Sequence, residues 1–408
     1  MSPSTDSQVL LINIGGHDRP GVTHSLTEIL GRYEARILDL GQAVIHDALA
    51  LGVLVEMTAA MRSSAMLTDL LLKAHELGVQ VRFTAISAQE YADWVQSQSK
   101  GRFLVSVLGR SITAAQLADV SGIVARAGLN IDRIQRLSSR TSLSTDCEPQ
   151  RMCLEMSISG NIVDETEVRL PLMQLTERHN VDIAFQHDNV YRRNRRLVAF
   201  DMDSTLIQTE VIDELAKLAG VGDQVVAITE AAMRGELDFQ ASFRRRVGLL
   251  KGLPESALTE VRDKVPLMDG ADRLVGTLKR LGYKTAILSG GFTFMGRELQ
   301  RRLGIDYLGA NELNVRDGFV TGEVTGDIVD GARKALLLRQ IAADEGLIME
   351  QVIAVGDGAN DLPMLSIAGL GIAFRAKPLV RQSAKQAIST LGLDGILYLL
   401  GLRDRDAC

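Results

Sequence analysis

The chain is predicted to be an α/β protein: two small βαββαβ units, then a larger sheet of parallel strands covered by helices on both faces. Three observations predict this. Residues 8–90 and 101–187 run through the same order of strand-like and helix-like segments. From residue 195 onward, short unbroken apolar runs alternate with amphipathic stretches, the pattern of a parallel sheet buried on both sides. A length of 408 residues, 46% of them hydrophobic, supplies cores for two or three domains.

In the first unit, Val9–Ile14 reads as a strand and Gly15–Gly21 as a turn. Val22, Leu26, Ile29 and Leu30 then recur on one helical face. Ile37–Ile45 and Ala50–Thr58 are strands, Ser63–Leu77 a helix and Val79–Ala85 the last strand. The second unit repeats this with strand Phe103–Leu108, helix Thr113–Ala127, strands Ile131–Leu137 and Met152–Gly160, helix Glu165–His179 and strand Asp182–Gln186. The basic run Tyr191–Arg196 reads as a solvated linker.

In the third section, 195–408, the apolar strands are Leu197–Phe200, Thr285–Leu288, Val352–Val355 and Gly369–Ala373. Helical segments such as Ala271–Leu281 and Lys334–Glu345 alternate with them. A helical insertion, about 209–268, follows the first strand. Asn311–Val329 carries Arg316-Asp317-Gly318 between alternating residues and predicts a β-hairpin.

Composition excludes several classes. A net charge of −6 gives no electrostatic reason to expect nucleic acid or an anionic membrane as partner. No run approaches the roughly 18 apolar residues of a membrane helix, and Met1–Ser7 lacks the basic start of a secretory signal. The three cysteines, Cys147, Cys153 and Cys408, form no CxxC pair, which argues for reduced thiols and against structural zinc. The expected location is the cytoplasm.

Candidate chemistry collects where parallel strands end, because ligands of open α/β sheets bind beyond the carboxyl ends. The first strand delivers Asp201-Met202-Asp203-Ser204-Thr205 there. The next ends in Ser289-Gly290-Gly291, a helix after Gly331 starts with Lys334, and a further strand ends in Gly356-Asp357-Gly358-Ala359-Asn360-Asp361. Four elements thus bring carboxylates, a hydroxyl and an ammonium to one sheet edge.

These four motifs resemble the complete signature of the haloacid dehalogenase superfamily over about 197–401. The resemblance implies a Rossmann-like core with a helical cap at 209–268, and phosphoryl transfer. It implies Asp201 as nucleophile and Asp203 as the acid that protonates the leaving oxygen and then activates water. Crowding by phosphate and Asp201 is expected to raise the Asp203 pKa. Ser289, the Gly290 N–H and Lys334 would hold the phosphoryl oxygens. Mg2+ is the implied cofactor, on the Asp201 and Asp357 carboxylates and the Asp203 carbonyl; few hard oxygen ligands suit it. Asp361 is expected to orient Lys334, and Asn360 to meet substrate or a metal-bound water.

On the cap, Glu210, Met233, Phe239 and Arg246 resemble, in identity and spacing, the substrate pocket of the phosphoserine phosphatase family. Glu210 would accept from the substrate ammonium and Arg246 would clamp its carboxylate. Met233 and Phe239 would exclude water. Arg246 has the neighbours Arg244 and Arg245 as competitors for that role. The expected reaction is hydrolysis of O-phospho-L-serine. The rival readings are a phosphatase or phosphotransferase for another small phosphorylated amino acid, with phosphothreonine or homoserine, and a silent amino-acid sensor.

The two βαββαβ units resemble ACT domains, ferredoxin-like modules that often sense amino acids. Asp18-Arg19-Pro20-Gly21 is the candidate effector turn, where free N–H groups at a helix start can receive a carboxylate; the same residues suit a plain tight turn. The second unit has Gly109-Arg110-Ser111-Ile112-Thr113 instead. His17, His24 and His46 read as surface or packing residues. Homodimerisation through these units is expected.

Overall fold

A computed structural model describes residues 8–57, 65–97, 101–140, 151–234 and 236–407, with the side chain of Met233 among those left undescribed. The chain divides into two compact units, 1–100 and 101–408.

The first unit runs β1 (Gln8–His17), α1 (Val22–Arg32), β2 (Arg36–Ile45), β3 (Ala48–Met57), α2 (Ala65–Leu77), β4 (Val79–Ile86) and α3 (Ala88–Ser97). Its antiparallel sheet has the order β2-β3-β1-β4. Leu10, Ile12 and Ile14 alternate onto the face that buries Leu26, Ile29 and Leu70 of the helices. Helix α3 was not expected: its large apolar residues, Tyr91, Trp94 and Val95, stand at helical spacing but make a stripe only one turn long. It brings Tyr91 and Trp94 to a hollow of about 460 Å3 shared with Leu11, Leu40 and Leu54, on the other sheet face. The start of the helix expected from Ser63 lies outside the described residues.

The second unit opens with β5 (Arg102–Gly109), α4 (Ala114–Arg126), β6 (Asn130–Arg136), β7 (Met152–Ser159), α5 (Thr166–His179) and β8 (Asp182–His187). The order β6-β7-β5-β8 reproduces that of the first sheet. Thr113 and Gln116 close a capping box at the start of α4.

The rest of this unit is built on β9 (Leu197–Phe200), β10 (Lys284–Phe292), β11 (Tyr307–Arg316), β12 (Phe319–Thr325), β13 (Val352–Gly356), β14 (Leu370–Phe374) and β15 (Gln386–Ile388). Their order is β12-β11-β10-β9-β13-β14-β15. All neighbours are parallel except the β11–β12 hairpin. Asp317 (φ 52°) and Gly318 (φ 82°) make its turn, as the Asp-Gly pair predicts. The chain order reverses at β9, which is fully buried, so the crevice beyond its end is the topological switch point.

Between β9 and β10 the insertion folds as α6 (Val211–Leu218), α7 (Gly222–Met233), α8 (Phe239–Gly248) and α9 (Glu255–Lys264), followed by α10 (Ala271–Arg280). The strand β12 grips this cap through main-chain bonds Gly252 N–H to Val320 O and Val320 N–H to Leu253 O, each 2.9 Å or shorter. The remaining helices are α11 (Thr293–Leu303), α12 (Gly331–Asp344), α13 (Leu362–Ile367), α14 (Pro378–Ser383) and α15 (Ile396–Leu399).

The run Tyr191–Arg196 is not a solvated linker. Arg192 and Arg195 are buried, and Arg192 pairs with Glu155 of β7, each side chain only 2% exposed. Burial and the facing Arg192 push the Arg195 pKa down to about 10. The seam that swallows them joins polar pairs to apolar packing. Asp182 of β8 accepts from Ser389 N and Thr390 N, both at 2.8 Å. The Gln386 amide exchanges hydrogen bonds with the Phe185 main chain. Arg151 and Arg273 converge on the buried Asp394. Leu108, Cys153 and Ala184 belong to the same apolar cluster as Val198 and Phe200.

Candidate active site

Strand β9 ends at Phe200 because the next residue must turn toward the crevice. Asp201 Oδ1 accepts from the Met202 N–H at 2.7 Å and from Lys334 Nζ at 2.9 Å. Ser204 takes φ 56°, a left-handed conformation uncommon for serine, in the tight loop after Asp203. Asp203 Oδ1 accepts from Val211 N at 3.1 Å, which ties it to the start of the cap. Burial first, then the negative charges of Glu210 and Asp201, push its carboxyl well above the ordinary range. The proton is thereby favoured on Asp203, although the crowding expected from Asp201 ranks behind burial and Glu210.

Ser289, Gly290 and Gly291 lie inside β10, not after it. The pairing with β11 breaks register between Leu288 and Phe292, a bulge beside the site. Ser289 is fully buried and accepts from Gly291 N at 2.9 Å. A Cβ on Gly291 would stand 2.3 Å from Asp203 Oδ2, so only glycine lets that carboxylate approach.

Lys334 sits in the first turn of α12, fully buried, between Asp201 and Asp361, whose Oδ1 is 2.6 Å away. Burial alone would discharge the ammonium; the two carboxylates keep it charged and raise its pKa. Asp361 also accepts from Gly358 N at 2.9 Å, so it orients the lysine and its own loop together. Burial, then Asp201, pushes the Asp361 pKa up to about 7.

Asp201, Asp357 and Asp361 each offer an oxygen within 4.8 Å of the others. Burial, then the facing Asp201 and Asp361, pushes Asp357 up to about 8. Carboxylates held this close repel one another until a cation joins them, so the donor set fits a hard, oxygen-liking metal ion. Thr205 Oγ1 donates to Asp357 Oδ1 at 3.3 Å and steadies it.

Above these groups lies a cavity of about 680 Å3. The cap supplies Glu210, Phe239 and Arg246 to its wall. Asn360 lines it from the loop after β13, and Gly290 from β10. Of the three consecutive arginines, Arg244 and Arg245 are exposed while Arg246 is half-buried and turned to the cavity. Loss of hydration lowers the Arg246 pKa, against the pull of Glu210, Asp213 and Asp203. Glu210 accepts from Ser204 Oγ at 2.9 Å. Its pKa is raised, chiefly by lost hydration. Met233 ends α7, but its side chain lies outside the described residues.

Sequence reasoning missed Asp213, Ser242, Phe243 and Lys377, all on the cavity wall. Ser242 and Phe243 were within reach: they stand three and four residues after Phe239, on the stripe that leads to Arg246. Lys377, in the turn before α14, had no such signal.

The proposed effector turn belongs to the first unit. Asp18, Arg19, Pro20 and Gly21 are exposed, and Gly21 (φ 94°) caps α1. Asp18 N donates to Asp47 O at 2.7 Å. His17 and His46 both face the Asp47 carboxylate, at 3.1 and 2.7 Å, while His24 is exposed.

Family models of the ACT domain match residues 8–84 and 102–186, and that of the haloacid dehalogenase-like hydrolases matches residues 195–369. A phosphoserine phosphatase of Streptomyces coelicolor is 42% identical over 401 residues, 98% of this chain and 94% of that protein. One from Mycobacterium tuberculosis is 41% identical over 394 residues, 96% and 93% of the two chains. The crystal structure of a probable phosphoserine phosphatase from Vibrio cholerae superposes with TM-score 0.58 and 36% identity, covering 73% of this chain and 86% of that one.

Proposed function

Because the chain belongs to the phosphoserine phosphatase family of haloacid dehalogenase-like hydrolases, we propose that it hydrolyses O-phospho-L-serine to L-serine and phosphate, the closing step of serine synthesis. The observation that carries the reading is one cavity lined by two sets of groups: Asp201, Asp203 and Ser289 from the sheet, Glu210 and Arg246 from the cap. A zwitterion bearing a phosphate uses both: phosphoryl group to the first, ammonium to Glu210, carboxylate to Arg246.

Asp201 attacks phosphorus in line, forming an acyl-phosphate as the bond to the serine oxygen breaks. Asp203 gives its proton to that oxygen, and L-serine leaves. The Asp203 carboxylate then takes a proton from water, whose oxygen attacks phosphorus and releases Asp201 and phosphate. Lys334, Ser289 Oγ and the Gly290 N–H offset the charge on the transferred group. Asp201 and Asp357, with the Asp203 carbonyl, would hold Mg2+. When bound, that ion supplies charge neutralisation at the phosphoryl oxygens.

The ACT domains support two further elements of the proposal: an amino-acid effector and pairing into a homodimer. A cytoplasmic location suits a biosynthetic enzyme with few cysteines, and no helix among the described residues is long and apolar enough to cross a membrane.

The test is phosphate release from phosphoserine, phosphothreonine, phosphoglycolate and a sugar phosphate, with and without Mg2+. A magnesium-dependent preference for phosphoserine is expected. Preference for another ester would keep the chemistry and overturn the substrate; no release from any would return the sensor reading.

A further inference from the structure

Helix α8 presents Phe239, Ser242, Phe243 and Arg246 to the cavity, residues spaced as one stripe of a helix. Ser242 is only 1% exposed, yet its Oγ has no hydrogen-bond partner among the described residues. A serine within a helix ordinarily returns its hydroxyl to the carbonyl four residues back. Here that carbonyl, Asp238 O, is engaged by the Ser242 N–H at 3.0 Å and not by the hydroxyl. One turn further on, Arg246 Nε is likewise buried without a partner. Buried polar groups are almost always satisfied, so two unsatisfied donors, on residues of one stripe that line one cavity, mark the place of an absent acceptor.

The acceptor must offer several lone pairs to donors one turn apart. A carboxylate does, with two oxygens and about four acceptor positions. Glu210 and Asp213 line the same cavity, and neither bonds to Ser242 Oγ or to Arg246 Nε.

We propose that Ser242 is a specificity-determining residue whose hydroxyl donates to the substrate carboxylate beside Arg246. The guanidinium supplies the charge; the hydroxyl fixes which way the carboxylate plane lies. This inference rests on phosphoserine as substrate and names the group that reads its carboxylate together with the arginine.

The test compares phosphoserine with phosphoethanolamine, which has the same phosphate and ammonium and no carboxylate. In Ser242→Ala, KM for phosphoserine should rise about tenfold, the scale of one hydrogen bond to a charged group. The kcat/KM for phosphoethanolamine should stay as in the wild type. Ser242→Cys, of similar size and a poor donor, should follow the alanine variant and guards against a packing defect in either. Equal losses on both substrates, or unchanged discrimination in variants that melt normally, would overturn the role of Ser242 alone. A wild-type enzyme with no preference for phosphoserine over phosphoethanolamine would overturn the substrate reading, and this inference with it.

Discussion

Gln240 of the cap donates from Nε2 to Asp330 Oδ2 at 2.7 Å, and Asp330 is the N-cap of the helix that carries Lys334. Asp330 Oδ1 meanwhile accepts from Arg333 N at 2.9 Å. One carboxylate therefore joins the start of the cap helix α8 to the start of α12. Gln240→Ala removes the cap side and leaves the helix cap of α12 in place. It should raise KM for phosphoserine about three- to tenfold, the net worth of such a bond, with the melting temperature nearly unchanged. A steady-state comparison checks it; an unchanged KM would mean the bond plays no part in holding the cap over the cavity.

Metal affinity should depend on pH. In the metal-free protein Asp357 has its pKa pushed up to about 8, so below that pH it mostly carries a proton that a cation must displace. Apparent Mg2+ affinity should climb between about pH 6 and pH 8.5, and each binding event should release part of a proton at neutrality. Calorimetry in buffers of different ionisation enthalpy reads both. Proton-neutral binding would contradict the crowded carboxylate cluster. A chelator should abolish turnover at any pH.

Gly291→Ala tests the approach of β10 to the acid. The new methyl would stand 2.3 Å from Asp203 Oδ2 and 2.6 Å from Met202 Cε. The carboxylate can swing away, so the fold survives while the proton donor is misplaced. The kcat should fall by about 10²-fold, as misplacement near 1 Å does. Wild-type kcat in this variant would show that the site tolerates a looser acid.

The buried Arg192–Glu155 pair predicts a non-additive series. Arg192→Met alone leaves the Glu155 carboxylate buried and unpaired, at a cost of about 3–5 kcal/mol. Glu155→Leu added to it removes the orphaned charge and should restore much of that loss. Thermal or denaturant melts of the two variants decide it. A double variant no more stable than the single one would place the seam's strength elsewhere.

The strands of the catalytic sheet were legible because they are unbroken apolar runs: Leu197–Phe200 was read to the residue. Three of the four motifs were legible because each follows such a run, and the fourth, Lys334, because it stands in the first turn of a helix. What escaped was polar. Arg192, Arg195, Asp182 and Gln386 are buried, and sequence patterning assigns residues of those types to solvent. Their partners lie far away along the chain, as Asp182 and Thr390 do, so no local window could pair them. Helix α3 escaped for another reason: its apolar stripe, Tyr91, Trp94 and Val95, spans a single turn. The part of the cap pocket formed by Lys377 needed the folded turn before α14 to become visible.

That polar seam makes the two repeats non-interchangeable parts. On the outer face of β4 the first repeat carries Gln80 and Arg82, both exposed. At the matching places on β8, set by the pairing of Gln80 with Gly15 and of Asp182 with Leu108, the second carries Asp182 and Ala184, both buried. A chimaera with a copy of the first repeat spliced in at 101–187 would press an arginine where Ala184 has no room and lose the acceptor for Ser389 and Thr390. Any pair of descendants of one ancestral module that diverged this way can no longer trade places, and a shuffled gene would have to carry residues 101–408 as a single cassette.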